Sequence, residues 1–251
     1  MRPRTLAFGT WLAARGAMVG VGFALAIAGA LASVVAAVAV SGSGMAAELP
    51  LFESSAIAWS AGVVLAFGGA LHALHRDREQ GVVALVRARG ASDGGYLCGR
   101  VGGLVIVLAV AVGGATLVAG IAATSVAHPA LTAMHTSVAA IVYALAFAAT
   151  VGPVAMATLG ARTRSGGFLL LVAVLAVPEL LSRWTALWLP QGWHELTSIP
   201  AALAAVRAGV AAPSVMAVPM ARALAGLAAV VALALVVIAA RVRQTGVQGA
   251  P

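Results

Sequence analysis

The chain has 251 residues, of which 62% are apolar and only 9% charged, and its mean hydropathy is +1.06. A soluble domain runs near roughly 45–50% apolar and about 25% charged, and one globular core of this length cannot hide so much apolar surface. The composition excludes an ordinary soluble domain and predicts a polytopic membrane protein. All fifteen basic residues are arginine. Without lysine the chain carries neither a Walker A phosphate loop nor a Schiff-base nucleophile, and the single Cys98 excludes an intrachain disulfide and any cysteine-rich metal site. The formal charge is +8, but the arginines flank apolar runs, so an anionic lipid leaflet and not nucleic acid is the expected partner.

A helix needs about 20 apolar residues to cross roughly 30 Å of hydrocarbon. Six runs qualify, at approximately 17–40, 55–75, 101–125, 134–160, 166–188 and 216–240. The expected fold is all-α: one transmembrane domain over 1–251, with six spans. Ahead of the first span, RPRTLAFGTWLAARG alternates basic and apolar residues and is expected to lie along the inner interface. The first run is longer than a signal-peptide core and SGSGMAAELP after it is polar, so it reads as an anchor and not a cleaved leader. Six spans place Arg2, Arg4, Arg15, Arg76, Arg78, Arg87, Arg89, Arg100, Arg162, Arg164, Arg241 and Arg243 on one side, against Arg183, Arg207 and Arg222 on the other. Twelve arginines against three put both termini in the cytoplasm of a bacterium, with the chain in its inner membrane. Late in the chain, between the fifth and sixth spans, Ile199–Val210 reads as a short helix at or dipping into the outer interface, near Trp184, Trp188 and Trp193.

The stretch between the second and third spans is the most informative. Residues 76–89 are too polar to cross lipid, yet Val82, Val83, Leu85 and Val86 fall on one arc of a helical wheel, with Gln80 and Arg87 at its edge. Gly90 stops the helix and Ala91-Ser92-Asp93-Gly94-Gly95 makes a turn. Such a helix either rests on lipid or fits a groove on a partner protein. Gly81 is either a hinge or a bend into the interface.

Glu79-x-Gly81, with Leu85 four residues after the glycine, then a turn and Gly99-Arg100 opening the next span, resembles the signature of type-2 ABC transporter permeases. Two departures stand out: Gly90-Ala91-Ser92 replaces the turn's usual proline, and Arg100 the usual lysine. The resemblance implies a coupling helix over approximately 76–89, pushed by a separate P-loop ATPase subunit. Asp77, Arg78, Glu79, Gly81, Val82, Leu85, Val86 and Arg87 are then the expected ATPase-coupling residues. It further implies a second permease copy or paralogue, ATP and magnesium used by the partner with no cofactor bound by this chain, and a possible periplasmic accessory protein. Within that family, TLGARTRSGGFLLLVAVLAVPELL (158–181) is similar to the haem-exporter B subunit of cytochrome c maturation, with Gly166-Gly167 and Pro178 in the matching places.

Other residues admit two readings. Glu179, about 20 Å into the fifth span, is costly in lipid and either pairs with Arg183 four residues on or lines a substrate path. His72, His75, His128 and His135 are haem-ligand candidates or ordinary interfacial histidines, with no third ligand at metal spacing. Gly16-x3-Gly20 and Gly99-x3-Gly103 permit close helix contact. An ATP-independent secondary transporter or channel is the competing class, weakened by spans almost free of charge. An intramembrane enzyme lacks any H-E-x-x-H or Ser/His arrangement in a span, so the chain is expected to be non-catalytic.

Overall fold

A computed structural model describes residues 3–41, 44–90, 92–128, 130–160, 164–185, 188 and 194–247. All regular structure among them is helical. Helix α1 (Pro3–Ala14) leads into α2 (Ala17–Ala39). A second long rod is made of α3 (Leu49–Ile57), a π-helical turn at Ala58–Gly62, and α4 (Val63–Ala70). Two short helices follow, α5 (Ala73–Glu79) and α6 (Val82–Ala88). The third rod is α7 (Asp93–Leu108), a π turn at Ala109–Gly113, and α8 (Gly114–Val126). The remainder is α9 (Ala130–Leu159), α10 (Arg164–Thr185), α11 (His194–Thr197), α12 (Ile199–Ala211) and α13 (Pro213–Val247).

Among the described residues, five helices are long and apolar enough to cross a membrane: Met18–Ala39, Leu49–Asp77, Asp93–Val126, Ala130–Leu159 and Pro213–Val242. The chain is a helical membrane protein. The stretch expected as a span at 166–188 is helical over Arg164–Thr185, but its apolar part, Gly166–Leu181, is short. Sixteen residues rise about 24 Å, less than the roughly 30 Å of hydrocarbon. The expected run at 17–40 coincides with α2, whereas the second begins at Leu49 and not at 55, because Leu49-Pro50 starts a helix directly with proline in its first turn.

The bundle is built around α9, which packs on α3, α4, α7, α8, α10, α12 and α13. Its burial is continuous from Thr150 to Leu159. Lipid tails are as apolar as leucine, so helices in a membrane associate through close packing and not through a hydrophobic drive. Glycine supplies that closeness. A Cβ on Gly103 would lie 2.3 Å from the Gly9 carbonyl carbon, and one on Gly99 2.7 Å from the Thr5 oxygen, so α1 and α7 meet backbone to backbone. Gly99-x3-Gly103 is thus an interface. In the other pair Gly16 faces Gly68, while Gly20 has no atom within 4 Å of where a Cβ would sit.

Helix α12 does not rest on the surface of the bundle. Ile199, Ala202, Leu203, Val206 and Gly209 are buried, and the helix packs against both α9 and α13. Its alanine and glycine content is what admits it, since small residues let a third helix lie close to two others.

Candidate functional site

The arginine-rich end of the bundle, where α4, α5, α6 and α7 meet, carries the most concentrated polar chemistry. Helix α4 ends at Ala70, and the chain turns through His72 at φ +52°. A non-glycine residue there is uncommon and is held by its surroundings. The His72 amide donates to the Leu159 carbonyl (3.2 Å), one of the orphan carbonyls at the C-terminus of α9. Arg241 of α13 donates to the neighbouring Ala157 carbonyl, so the end of α9 is capped from two directions.

Helix α5 then places Asp77 inside the protein. Its carboxylate takes a bidentate pair from Arg100 on α7, Nε to Oδ2 at 2.6 Å and Nη2 to Oδ1 at 3.1 Å. The Tyr96 hydroxyl, one turn earlier on α7, donates to the same Oδ2 at 2.7 Å. Asp77 is 0% and Arg100 1% exposed, and the Arg100 Nη1 makes no hydrogen bond within the protein. Arg100 is therefore neither solvated nor snorkelling. It clamps the end of the second rod to the third, and because Gly99 and Gly103 flank it, α1 is seated over the same spot.

Beyond Glu79 the helix breaks again. Gly81 stands at φ +66° with open space around it, so the single helix expected over 76–89 is two helices, α5 and α6, separated by a left-handed glycine. A further break, at Leu71–His72, separates α5 from α4. On α6, Val82, Val83 and Val86 turn inward against the core, while Leu85 is 51% exposed. The far end of α6 is tied down by Arg87, whose Nε and Nη2 donate to Asp93 at 2.7 and 2.9 Å. That hydrogen bond and the adjacent carboxylate charge raise the Arg87 guanidinium further above its ordinary range. Ser92 caps α7 by accepting from the Gly95 amide at 3.1 Å.

The expected coupling residues therefore separate into distinct groups. Asp77 is buried and pairs with Arg100 inside the chain. Val82 and Val86 serve the internal contact. Leu85, Glu79 and Arg87 remain at the surface, with Glu79 at 3.2 Å from His75. The Arg78 side chain lies outside the described residues.

At the opposite end, Glu179 of α10 takes a hydrogen bond from Ser198, whose oxygen also accepts from the Ala201 amide as the N-cap of α12. The expected partner Arg183 has its side chain outside the described residues, as have His194 and Glu195. Arg207 donates to the Leu51 carbonyl and lies over the Tyr143 ring at 5.2 Å. The Tyr143 hydroxyl accepts from the Trp59 indole at 2.9 Å within the first π turn. Sequence reasoning missed this cluster, and π turns carry no spacing signal that would have exposed it. Among the described residues, no group of three or more histidine, cysteine or acidic side chains could hold a metal ion.

Compared with protein families, characterised proteins and solved structures, the chain matches none.

Proposed function

We propose that the chain is the membrane subunit of a type-2 ABC transporter, coupling ATP hydrolysis by a separate ATPase to export or to mechanical work across a bacterial inner membrane. The observation that carries the reading is α6. It is a short helix at the arginine-rich end that keeps one large apolar side chain, Leu85, outward while its valines pack on the core and its far end is tied by the Arg87–Asp93 pair. A loop with no partner gains nothing from so fixed an apolar knob. A partner ATPase pushing on α6 would act through Val82, Val83 and Val86 on the core, and through α5 on the buried Asp77–Arg100 clamp between the second and third rods.

In this reading both termini are cytoplasmic and α10 completes a sixth span, as a short helix whose crossing is finished by local thinning or by α11 and α12. A second copy or a paralogue completes the membrane part, and the partner supplies the ATP and magnesium site. A cargo, if one passes, is amphipathic or lipid-like, consistent with the apolar spans. The haem-exporter likeness rests on 158–181, where residues 161–163 lie outside those described. A second reading, an ATP-independent transporter, is favoured by the ionisable groups Glu179 and Arg207 inside the bundle.

The test is purification of the tagged chain from its host in mild detergent, with mass spectrometry of what accompanies it. A P-loop ATPase recovered with wild type and lost with Leu85→Asp supports the permease reading. Recovery of the folded chain without any ATPase refutes it and moves attention to Glu179 and Arg207.

A further inference from the structure

The clamp between the second and third rods holds a donor that the protein does not use. The Arg100 side chain is 1% exposed, and its Nε and Nη2 are both committed to Asp77. Its Nη1 carries two further N–H groups and meets no acceptor in the protein. Buried donors are nearly always paired, and one that belongs to a charged group is the most costly to leave unmade. Arg100 therefore calls for one more acceptor, and the packing around it limits what that acceptor is.

A small cavity adjoins Arg100 where α1, α6 and α7 meet. Thr5, Gly9 and Leu12 of α1, Val86 of α6, and Tyr96 and Arg100 of α7 line it. Asp77 is not in the lining, so the edge of the guanidinium that grips Asp77 is turned elsewhere and Nη1 is the nitrogen on the cavity side. The cavity has about 20 Å³ of room for water, and a single water needs roughly 10–15 Å³. That is too little for a phosphate or a further side chain. Asp77 already neutralises Arg100, so the remaining acceptor need not be an anion. A bound water also needs two to four polar partners. The Tyr96 hydroxyl gives its proton to Asp77 and keeps its oxygen as an acceptor. The α1 carbonyls reach toward the same part of α7: a Cβ on Gly99 would lie 2.7 Å from the Thr5 oxygen, and one on Gly103 2.6 Å from the Gly9 oxygen. A carbonyl in a helix retains a second lone pair beside the one its helical bond uses.

We infer that this cavity is a binding site for one ordered water, which accepts from Arg100 Nη1 and donates to the Tyr96 oxygen and to the α1 backbone. The water extends the Asp77–Arg100–Tyr96 network across to α1, at the place where α1 and α7 meet backbone to backbone. Val86 makes α6 one wall of the site, so an inward shift of α6 closes on the water and is felt at Arg100. The inference is independent of whether the chain is a transporter.

The test is hydroxyl-radical labelling of the full chain in lipid nanodiscs, read by mass spectrometry, with the radicals generated by a brief X-ray pulse after mixing into heavy-oxygen water. Radicals made from a bound water modify the side chains beside it even where bulk water does not reach. In wild type, Tyr96 is expected to be modified while the buried Tyr143 is spared, and to take up heavy oxygen more slowly than the exposed Trp11. Val86→Ile adds one methylene to the cavity wall, and Val83→Ile adds the same group to the same helix outside the lining. Tyr96 modification is expected to fall to the Tyr143 level in Val86→Ile and to persist in Val83→Ile. Wild-type Tyr96 modified no more than Tyr143 overturns the proposal, and so does unchanged labelling in Val86→Ile. Heavy-oxygen uptake at Tyr96 as fast as at Trp11 also overturns it, by showing a cleft open to bulk water. A wild-type crystal structure from a lipidic phase gives a second reading that needs no variant. A solvent peak at about 2.7–3.2 Å from Nη1 is expected, and a protein acceptor or closed packing in its place overturns the site.

Discussion

Replacing Asp77 by asparagine tests the buried clamp. The substitution keeps the shape of the side chain and removes its charge, leaving the Arg100 guanidinium 1% exposed with no counter-ion. Removing one partner of a buried pair costs about 3–5 kcal/mol, mostly the penalty of the uncompensated charge. The Tyr96 hydroxyl would also exchange a charged acceptor for a neutral one, which weakens its hydrogen bond. For a chain of this size each kcal/mol moves the melting midpoint by about 2–4 °C, so a Tm fall of roughly 6–20 °C is expected from the charge alone. The assay is thermal unfolding in a fixed detergent, followed by circular dichroism and by the reactivity of exposed Cys98. The companion variant replaces both partners, Asp77→Leu with Arg100→Met. Apolar replacement of a whole buried pair is often neutral or stabilising, so the double variant should recover most of the lost Tm. An unchanged Tm in Asp77→Asn, or a double variant worse than either single one, would refute the reasoning.

Three further outcomes follow from the packing. Gly103→Leu places carbon within 2.3 Å of the α1 backbone; α1 should lift from α7, with faster amide exchange over Thr5–Ala13 and a loss of at least the roughly 1–3 kcal/mol typical of overpacking. Gly81→Ala forces a Cβ into a left-handed conformation with no steric neighbour, costing about 1–2 kcal/mol; denaturant titration should show that loss, whereas Gly20→Ala should show none. Ser198→Ala removes both the cap of α12 and the partner of Glu179, and should destabilise by about 1 kcal/mol or more, with exchange rising first at the Ala201 amide; unchanged exchange there would contradict the assignment.

Much of the architecture could be read from the residues because lipid imposes a simple rule: apolar runs of crossing length become helices. That rule placed the rods at 17–40, 134–160 and 216–240 well, since nothing competes with it there. At 166–188 the apolar stretch, Gly166–Leu181, is shorter than the rule expects, with Pro178 and Glu179 inside it and Arg183 beyond its end. Interactions between distant positions were not legible. Asp77 and Arg100 are separated by 23 positions and a turn, so Asp77 looked like one more charge in a solvated run, Arg76-Asp77-Arg78-Glu79. Glu179 accepts from Ser198, 19 positions away, a contact that helical spacing could not announce, because a folded-back α12 brings its N-cap to the end of α10. The left-handed turn at His72 had no glycine to announce it; the carbonyl of Leu159 that its amide meets comes from another rod. The reverse held at Gly81 and at Gly99-x3-Gly103, where glycine was a true signal, of a break in one case and of backbone contact in the other.

The proposed contact between α6 and an ATPase is tested most directly by cross-linking from its exposed leucine. In a Cys98→Ser background, Leu85→Cys would be treated in native membranes with a short thiol-to-amine cross-linker, and Phe52→Cys, 71% exposed at the other end of the second rod, would serve as its control. The account predicts an adduct with a P-loop ATPase chain from position 85 whose yield changes when ATP is added, and none from position 52. Absence of any ATPase adduct at 85 in folded, membrane-inserted protein, or equal adducts from both positions, would contradict it.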